Sequence, residues 1–590
     1  QRKPYTGKKR LVIGVDIGTT HSGVSYALLE PGKVPRIRRV TRFSGQREEK
    51  GISKVPSVVC YDQDGNVIAV GPETNPEANP KLYEIEGVKR AEWFKLHLSP
   101  PHLVADKKSQ LEKLWTSEPA EDKDKDDTVV QVFADFLHYL FRHAKEYITE
   151  SERKLNPTFT WSAIEKDTCF VLTHPNGWEG KQQSQMRDAA VSAGLVDNST
   201  AADRIIFVTE GEASLHFCLE MNPELRQERG GLLVVDCGGG TVNISAYSQT
   251  EKGGFKEIAS PDCLLQGSIF VTSRARDYFQ GILKGSRFGS DVDIDAMARA
   301  FDKPEGVKCL FRCSDRPYFV KFGGLRDNDQ KYGICGGKFE VEGAQVAEFF
   351  EPAVKDIIDG ILKQVENVKD EVAIKYVLLV GGFGRSQYLH TKLSDYFKPR
   401  GITVQSVPKP DTTYRYKAVA DGAISWYLYR YVSSRVAKYS YGVPVELEFD
   451  PTNPEHTCRE STKFTYANGK YCIPGGFSTI MKRDTRVFEG TESRDSHCIL
   501  FTPDEYSARC LSILTNLKCY RRQSGNPPEW IDLEPNSFHD LCTIRADLVD
   551  IKMNMKPQNS GSKQFYELNL DLVIIFGSTE LEVYVAWQED

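Results

Sequence analysis

The chain has 590 residues, of which 40% are hydrophobic and 27% charged, and a net charge of −6. That length exceeds one hydrophobic core, so several domains are expected. The composition is that of an ordinary soluble globular protein. The mild negative charge gives no global drive toward nucleic acid or anionic membrane, and no apolar run reaches the roughly 18–20 residues of a membrane span.

The chain opens on a basic stretch, residues 1–10, and the apolar run behind it is short and interrupted by Asp16, a poor signal peptide. A first residue other than Met suggests numbering that starts inside a longer chain. Residues 11–17 read as a strand, Asp16-Ile17-Gly18-Thr19-Thr20 as a tight turn, and residues 23–29 as the returning strand. Two apolar runs at 57–61 and 67–70 flank Asp62-Gln63-Asp64-Gly65-Asn66, a hairpin signal. A charged loop at 120–127 leads into an amphipathic helix. There Val130, Phe133, Leu137, Leu140, Phe141, Ala144 and Ile148 follow helical spacing, with Asp127 or Thr128 as the expected cap. Strands are expected at 169–173 and 204–208, and helices at 182–193 and 212–220. The apolar run 232–235 ends in Asp236-Cys237-Gly238-Gly239-Gly240-Thr241. A helix over 349–368, with Pro352 in its first turns, precedes a strand at 376–380 that ends in Gly381-Gly382. Helices follow at 386–396 and 418–431. Strands alternating with helices, in two halves that open alike, indicate a duplicated α/β fold.

Beyond about residue 440 the helical period fades. Short runs at 442–449, 478–481, 511–514, 566–576 and 580–587 lie between Gly, Pro and Asn clusters, which indicates an antiparallel β domain. The 14 cysteines include no C-x-x-C pair. Their scatter favours free thiols in a reducing compartment, hence an expected cytoplasmic location, with the nucleus in addition. Six of them (Cys458, Cys472, Cys498, Cys510, Cys519, Cys542) fall in the last third without zinc-site spacing.

The chemistry is concentrated in three loops. In each of the first two, an apolar strand ends in Asp, and Gly and Thr follow. Glycines let backbone N–H groups approach phosphate oxygens, a Thr hydroxyl adds a donor, and an Asp can hold a metal ion or its water shell. Gly18, Thr19 and Thr20 face this task in the first turn, and Gly238, Gly239, Gly240 and Thr241 in the second. Two such turns facing each other would grip a polyphosphate from both sides. The third loop is Gly381-Gly382-Phe383-Gly384-Arg385. Paired glycines at a strand end let a flat ligand lie on the backbone, the next helix presents its N-terminus, and Arg385 can stack on an adenine ring.

In this order and spacing the loops resemble the phosphate, phosphate and adenosine motifs of the actin, sugar-kinase and seventy-kilodalton heat-shock superfamily. The heat-shock family fits best. Val208-Thr209-Glu210-Gly211-Glu212-Ala213 resembles its strand-Glu-helix junction. Thr173-His174-Pro175, with the helix ending in Ser192-Ala193-Gly194-Leu195, and Ala418-Val419-Ala420-Asp421-Gly422-Ala423 match as well. The resemblance spans roughly residues 10–435 and is closest to the divergent branch known as heat shock protein family A member 12. It implies an actin-like two-lobed ATPase with ribonuclease H-like lobes at 1–230 and 231–435. A C-terminal β domain at 436–590, a reduced substrate-binding-like domain without a helical lid, would follow.

The resemblance also implies roles. Asp16 and Asp236 would organise Mg²⁺ through waters, the threonines would contact phosphates of ATP or ADP, and Glu210 would help order the attacking water. A Lys from the small first-lobe subdomain also reaches the phosphates in the family. Lys95 is the candidate, with Lys89 behind it. One departure falls at Asn243, where the family has a second metal-organising Asp. Asn keeps an oxygen acceptor and loses the charge, so nucleotide binding with slow or absent hydrolysis is expected. The glycine pair and basic turn at 475–487 resemble the start of the family's β sandwich more faintly. The interdomain linker is replaced by residues 435–441 and the lid and acidic tail motif are missing, which puts peptide clamping in doubt. A slow chaperone-type ATPase whose β domain meets protein partners is therefore expected. A nucleotide-binding scaffold or sensor is the first alternative and a small-molecule kinase the second.

Overall fold

The computed structural model describes residues 3–46, 54–75, 79–107, 111, 125–368, 372–407, 418–507, 512–522, 525–548, 555, 557–561, 563–576 and 580–587. The chain forms two compact units, one of residues 1–178 with 182–432 and one of residues 179–181 with 433–590.

The first unit is built on two sheets that repeat one plan. In the first sheet, β1 (Arg10–Asp16) pairs antiparallel with β2 (His21–Leu29) and parallel with β3 (Thr168–His174), which pairs parallel with β4 (Ile205–Thr209). In the second, β5 (Gly231–Cys237) pairs antiparallel with β6 (Val242–Gln249), which continues to β7 (Phe255–Leu264). On its other side β5 pairs parallel with β8 (Ile374–Val380), and β8 with β9 (Thr403–Ser406). Each central strand thus has a hairpin partner on one side and a parallel neighbour on the other. The central strands β1 and β5 are buried almost throughout, as expected for strands covered on both faces, and read as continuous apolar runs. The hairpin of Val58–Tyr61 with Val67–Val70 forms as the turn signal indicated.

Helices supply the covering layers. α1 (Lys125–Arg153) buries Phe133, Leu137, Leu140, Ala144 and Ile148 against the first sheet. Asp127 and Thr128 both lie within α1, so neither is its N-cap; the apolar spacing from Val130 marks where the buried stripe begins, and a helix can extend N-terminal to its stripe. Residues 120–124 of the expected charged loop lie outside the described residues. α2 (Glu210–Met221) follows β4 directly. α3 (Ser268–Ile282) follows β7, and α4 (Gly343–Asn367) precedes β8. α4 starts well before the expected 349 and holds Pro352 in its interior. Its apolar stripe, from Val346 through Phe349, Phe350, Ala353 and Ile357 to Ile361, is buried. That burial offsets the roughly 3 kcal/mol cost of an interior proline. α5 (Gln387–Phe397) and α6 (Ala418–Tyr429) complete the unit. α2 and α6 cross in close contact. A Cβ on Gly422 would lie 1.9 Å from the Ala213 carbonyl oxygen, and Trp426 Nε1 donates to Glu212 Oε1 at 2.9 Å.

The second unit is antiparallel β. One sheet is formed by β11 (Tyr471–Met481), β10 (Ser440–Glu448), β13 (Ser512–Tyr520) and β14 (Phe538–Asp547), and the other by β12 (Glu492–Phe501), β15 (Lys563–Phe576) and β16 (Leu581–Ala586). Val443, Leu517, Leu572 and Ile574 are among the side chains of their shared core. β12 and β14 escaped the sequence reading. Charged and polar residues such as Arg494, Asp495, His539 and Asp540 interrupt their runs and mask the alternation. Among the described residues no helix is long and apolar enough to cross a membrane.

Candidate functional site

The second glycine turn is oriented by the start of α3. Three successive amides, of Gly267, Ser268 and Ile269, donate to the carbonyls of Gly240, Gly238 and Gly239 at 3.1, 3.1 and 3.0 Å. With its carbonyls tied to α3, the turn presents its amides elsewhere. Among the described residues the N–H groups of Gly239 and Gly240 meet no backbone acceptor. Gly238 N–H closes the turn onto Thr241 O at 2.9 Å, and in the first turn Gly18 N–H binds Ser22 Oγ at 3.2 Å, so these two glycines serve the turns themselves.

The two turns meet. A Cβ on Gly239 would fall 2.6 Å from Thr20 Oγ1, and one on Gly240 would fall 2.5 Å from Thr19 Oγ1. A side chain at either glycine would force Thr20, Thr19 or Leu96 to shift. The third loop lies against the second: Gly381 has φ +82°, and a Cβ there would sit 2.4 Å from Asp236 Oδ1. Gly382 is exposed with open space around it, and Arg385 is exposed one turn further on. Phe383 points the other way, into the core against Phe350 at 6.2 Å between ring centroids, which leaves only its backbone to border a ligand.

Asp16 and Asp236 stand at the ends of β1 and β5, both buried. Asp16 Oδ1 accepts from Thr173 Oγ1 at 3.2 Å, and Asp236 Oδ2 from Ser214 Oγ at 2.8 Å. Burial pushes the Asp236 carboxyl up to about 7, and the negative charge of Glu210 adds to the push. Burial raises Asp16 too, against the pull of Lys54 and Lys95. Carboxylates held away from water close to one another favour a proton or a cation. Hard oxygen donors of this kind suit Mg²⁺. Among the described residues no three His, Cys, Asp or Glu side chains converge as a metal site, so an ion here would complete its shell from water and phosphate.

A second polar cluster adjoins them. Glu210 is the first residue of α2, whose N-cap Thr209 accepts from Glu212 N–H at 3.2 Å. Lys95 Nζ lies 2.5 Å from Glu210 Oε1, with both side chains buried, and 5.6 Å from the centre of the Trp178 ring. Asn243 stands opposite Asp236 in the β5–β6 register. Its Nδ2 donates to Glu210 Oε2 at 2.7 Å, and its Oδ1 accepts from the Asn176 backbone N–H at 2.9 Å. A backbone donor on one side and a carboxylate on the other fix the orientation of the amide. Asn243 thus turns its nitrogen toward Glu210 and spends its oxygen on a backbone amide. Cys237 is buried and burial raises its thiol pKa, so it stays protonated and unreactive.

Of the residues proposed from the sequence, Thr19, Thr20, Gly239, Gly240, Gly381 and Asp236 lie against one another, and Lys95, Glu210 and Asn243 form the adjoining cluster, whereas Phe383 turns into the core and Lys89 is exposed on a strand paired with Val58–Tyr61. Thr173, Ser214, Ser22, Asn176 and Trp178 were missed as members. The available signal was small polar residues at the ends of apolar strands; Thr173 lies in the Thr173-His174-Pro175 motif quoted for the family resemblance but was given no role there.

The Hsp70 protein family profile matches residues 12–424. Heat shock 70 kDa protein 12B of Homo sapiens is 22% identical over 587 residues, covering 84% of this chain and 79% of that protein. Chaperone protein HscA of Proteus mirabilis is 26% identical, covering 68% of this chain and 56% of its own length. Chaperone protein DnaK of Mycoplasma mobile is 27% identical, covering 64% and 52%. The chain thus spans about half the length of these two bacterial relatives.

Proposed function

Because the chain belongs to the Hsp70 protein family, membership that implies ATP or ADP binding, we propose that its first unit holds Mg²⁺–ATP between the two glycine turns and hydrolyses it slowly. The observation that carries this reading is the contact of Gly239 and Gly240 with Thr20 and Thr19, across some 220 residues of sequence. The free amides of the second turn and the hydroxyls of Thr19, Thr20 and Thr241 would bind phosphate oxygens. Gly382 and Arg385 would border the adenine. Asp16 and Asp236 would hold waters of the ion, which supplies charge neutralisation at the phosphates. Glu210 would orient the attacking water, and Lys95 would donate to the terminal phosphate once it leaves Glu210.

Slow turnover is supported by Asn243. Its amide offers Glu210 a donor where a carboxylate would strengthen the hold on a hydrated cation. The β unit, and the chaperone names of two relatives, support a role toward protein partners. A nucleotide-binding scaffold without useful turnover is the second reading, favoured by the same Asn243 and by the Lys95–Glu210 pair, which occupies both catalytic groups. Phosphate release from ATP, with and without an unfolded peptide, separates them. Release stimulated by peptide supports the chaperone-type ATPase, and tight ATP binding with no release supports the scaffold. A gain of turnover in Asn243→Asp is expected, and its absence would count against the role given to Asn243.

A further inference from the structure

Asn176 follows β3 and Pro175, is 5% exposed, and joins parts of the first unit that the chain keeps far apart. Its Oδ1 accepts from Gly211 N–H at 3.1 Å, in the first turn of α2 beside Glu210. Its Nδ2 donates to Ser245 Oγ at 2.9 Å on β6 and to Asp262 O at 3.2 Å on β7. Its own backbone N–H donates to Asn243 Oδ1. An amide donor on one side and a carbonyl acceptor on the other fix which end of the side chain is oxygen. Gly211 is shaped for this contact, since a Cβ there would lie 2.5 Å from Ser245 Oγ and 2.8 Å from Asn176 Oδ1.

These bonds close a ring. Asn176 holds Gly211, Glu210 is the next residue back, Asn243 donates to Glu210, and Asn176 donates to Asn243. Asn176 follows a strand of the first sheet, Glu210 and Gly211 open the helix after that sheet, and Asn243 comes from the second sheet. A carboxylate so tied has one oxygen fixed by Asn243 and its backbone fixed by Asn176, and the ring is complete only while the two sheets are drawn together.

We infer that Asn176 is a positioning residue that sets the aim of the Glu210 carboxylate and makes that aim depend on closure of the two sheets around the nucleotide. The inference rests on the proposed ATPase reading. Asn176 spends its own polar atoms on protein partners, so its removal alters alignment rather than nucleotide grip. An error of about 1 Å at an aligning group costs about 100-fold in rate.

The test uses the full chain and the variants Asn176→Ala and Ser245→Ala, the latter removing one clasp to the second sheet while leaving the Gly211 bond. Hydrogen exchange of peptides covering residues 208–214 and 242–246 is measured without nucleotide, and ATP affinity and single-turnover hydrolysis are measured with it. In Asn176→Ala, exchange over 208–214 is expected to quicken about tenfold. The single-turnover rate should fall at least about tenfold while ATP affinity stays within about threefold. Ser245→Ala should show the same pattern more weakly and stands in if Asn176→Ala does not fold. Unchanged exchange over 208–214, or a loss of affinity equal to the loss of rate, overturns the inference. Should the wild type bind no ATP, the ATPase reading falls with the catalytic half of this one. The exchange result then still decides whether Asn176 holds the turn that carries Glu210.

Discussion

Replacing Asn243 by Asp places a carboxylate against Glu210, and its effect can be worked through from the distances. The new side chain keeps the bond from Asn176 N–H with one oxygen. Its other oxygen takes the place of an amide nitrogen 2.7 Å from Glu210 Oε2. The lost charge-assisted hydrogen bond was worth about 1.5–3 kcal/mol. At an effective dielectric of about 20, two like charges at that separation repel by about 6 kcal/mol. Protonating one carboxyl at neutral pH costs about 4 kcal/mol, so the pair takes up a shared proton and the penalty is capped near that figure. The pair's folded pKa is raised, so the variant keeps its stability below the ordinary carboxyl range and loses it as pH rises toward 8. The first unit has roughly 430 residues, for which an unfolding entropy of about 0.9 kcal/mol/K is expected. Protonation costs about 5 kcal/mol at pH 8, so thermal unfolding of the nucleotide-free variant should match wild type near pH 4.5 and fall about 5–6 °C below it at pH 8. A difference that is absent at pH 8, or equal at both pH values, would refute the contact described between Asn243 and Glu210.

Three further outcomes are expected. Folding raises the Asp236 carboxyl from its ordinary 3.8 to about 7, so the stability it contributes is full below about pH 4 and lost as pH rises through about 7. Asp236→Asn should flatten that decline in melts of the nucleotide-free protein. Lys95→Met leaves one oxygen of buried Glu210 without its cation and should cost about 3–5 kcal/mol in denaturant unfolding. Gly422→Ala drives a Cβ into the Ala213 carbonyl, forces α2 and α6 apart, and should cost at least about 2 kcal/mol, read as a lower melting temperature.

The sequence disclosed the plan of the first unit because β1 and β5 are buried on both faces and end in the same Asp-x-Gly pattern. Apolar runs of that kind need no partner information to be recognised. The second unit was harder to read. β12 exposes alternate residues and carries Arg494 and Asp495 inside the strand, so its pairing with β15 decides what its composition does not. Pro352 marked a helix start by local rule, yet the buried stripe of α4 carries the helix through it. At the site, the residue types of the two turns led to the expectation of phosphate binding, and the turns do lie against each other. The ring through Asn176 could not be seen, because it depends on three segments meeting, and nothing local to Asn176 distinguishes it from a loop asparagine. Likewise Phe383 sits in a ligand-facing motif by sequence and in the core by packing.

Calorimetric titration of ATP into the full chain with Mg²⁺ present tests most directly whether the two glycine turns form one nucleotide site. One nucleotide per chain should bind with measurable heat. Binding should be lost when Gly239 and Gly240 are both replaced by Ala, since each new Cβ would press on Thr20 or Thr19. No heat with ATP or ADP, or unchanged binding in that double variant, would contradict it.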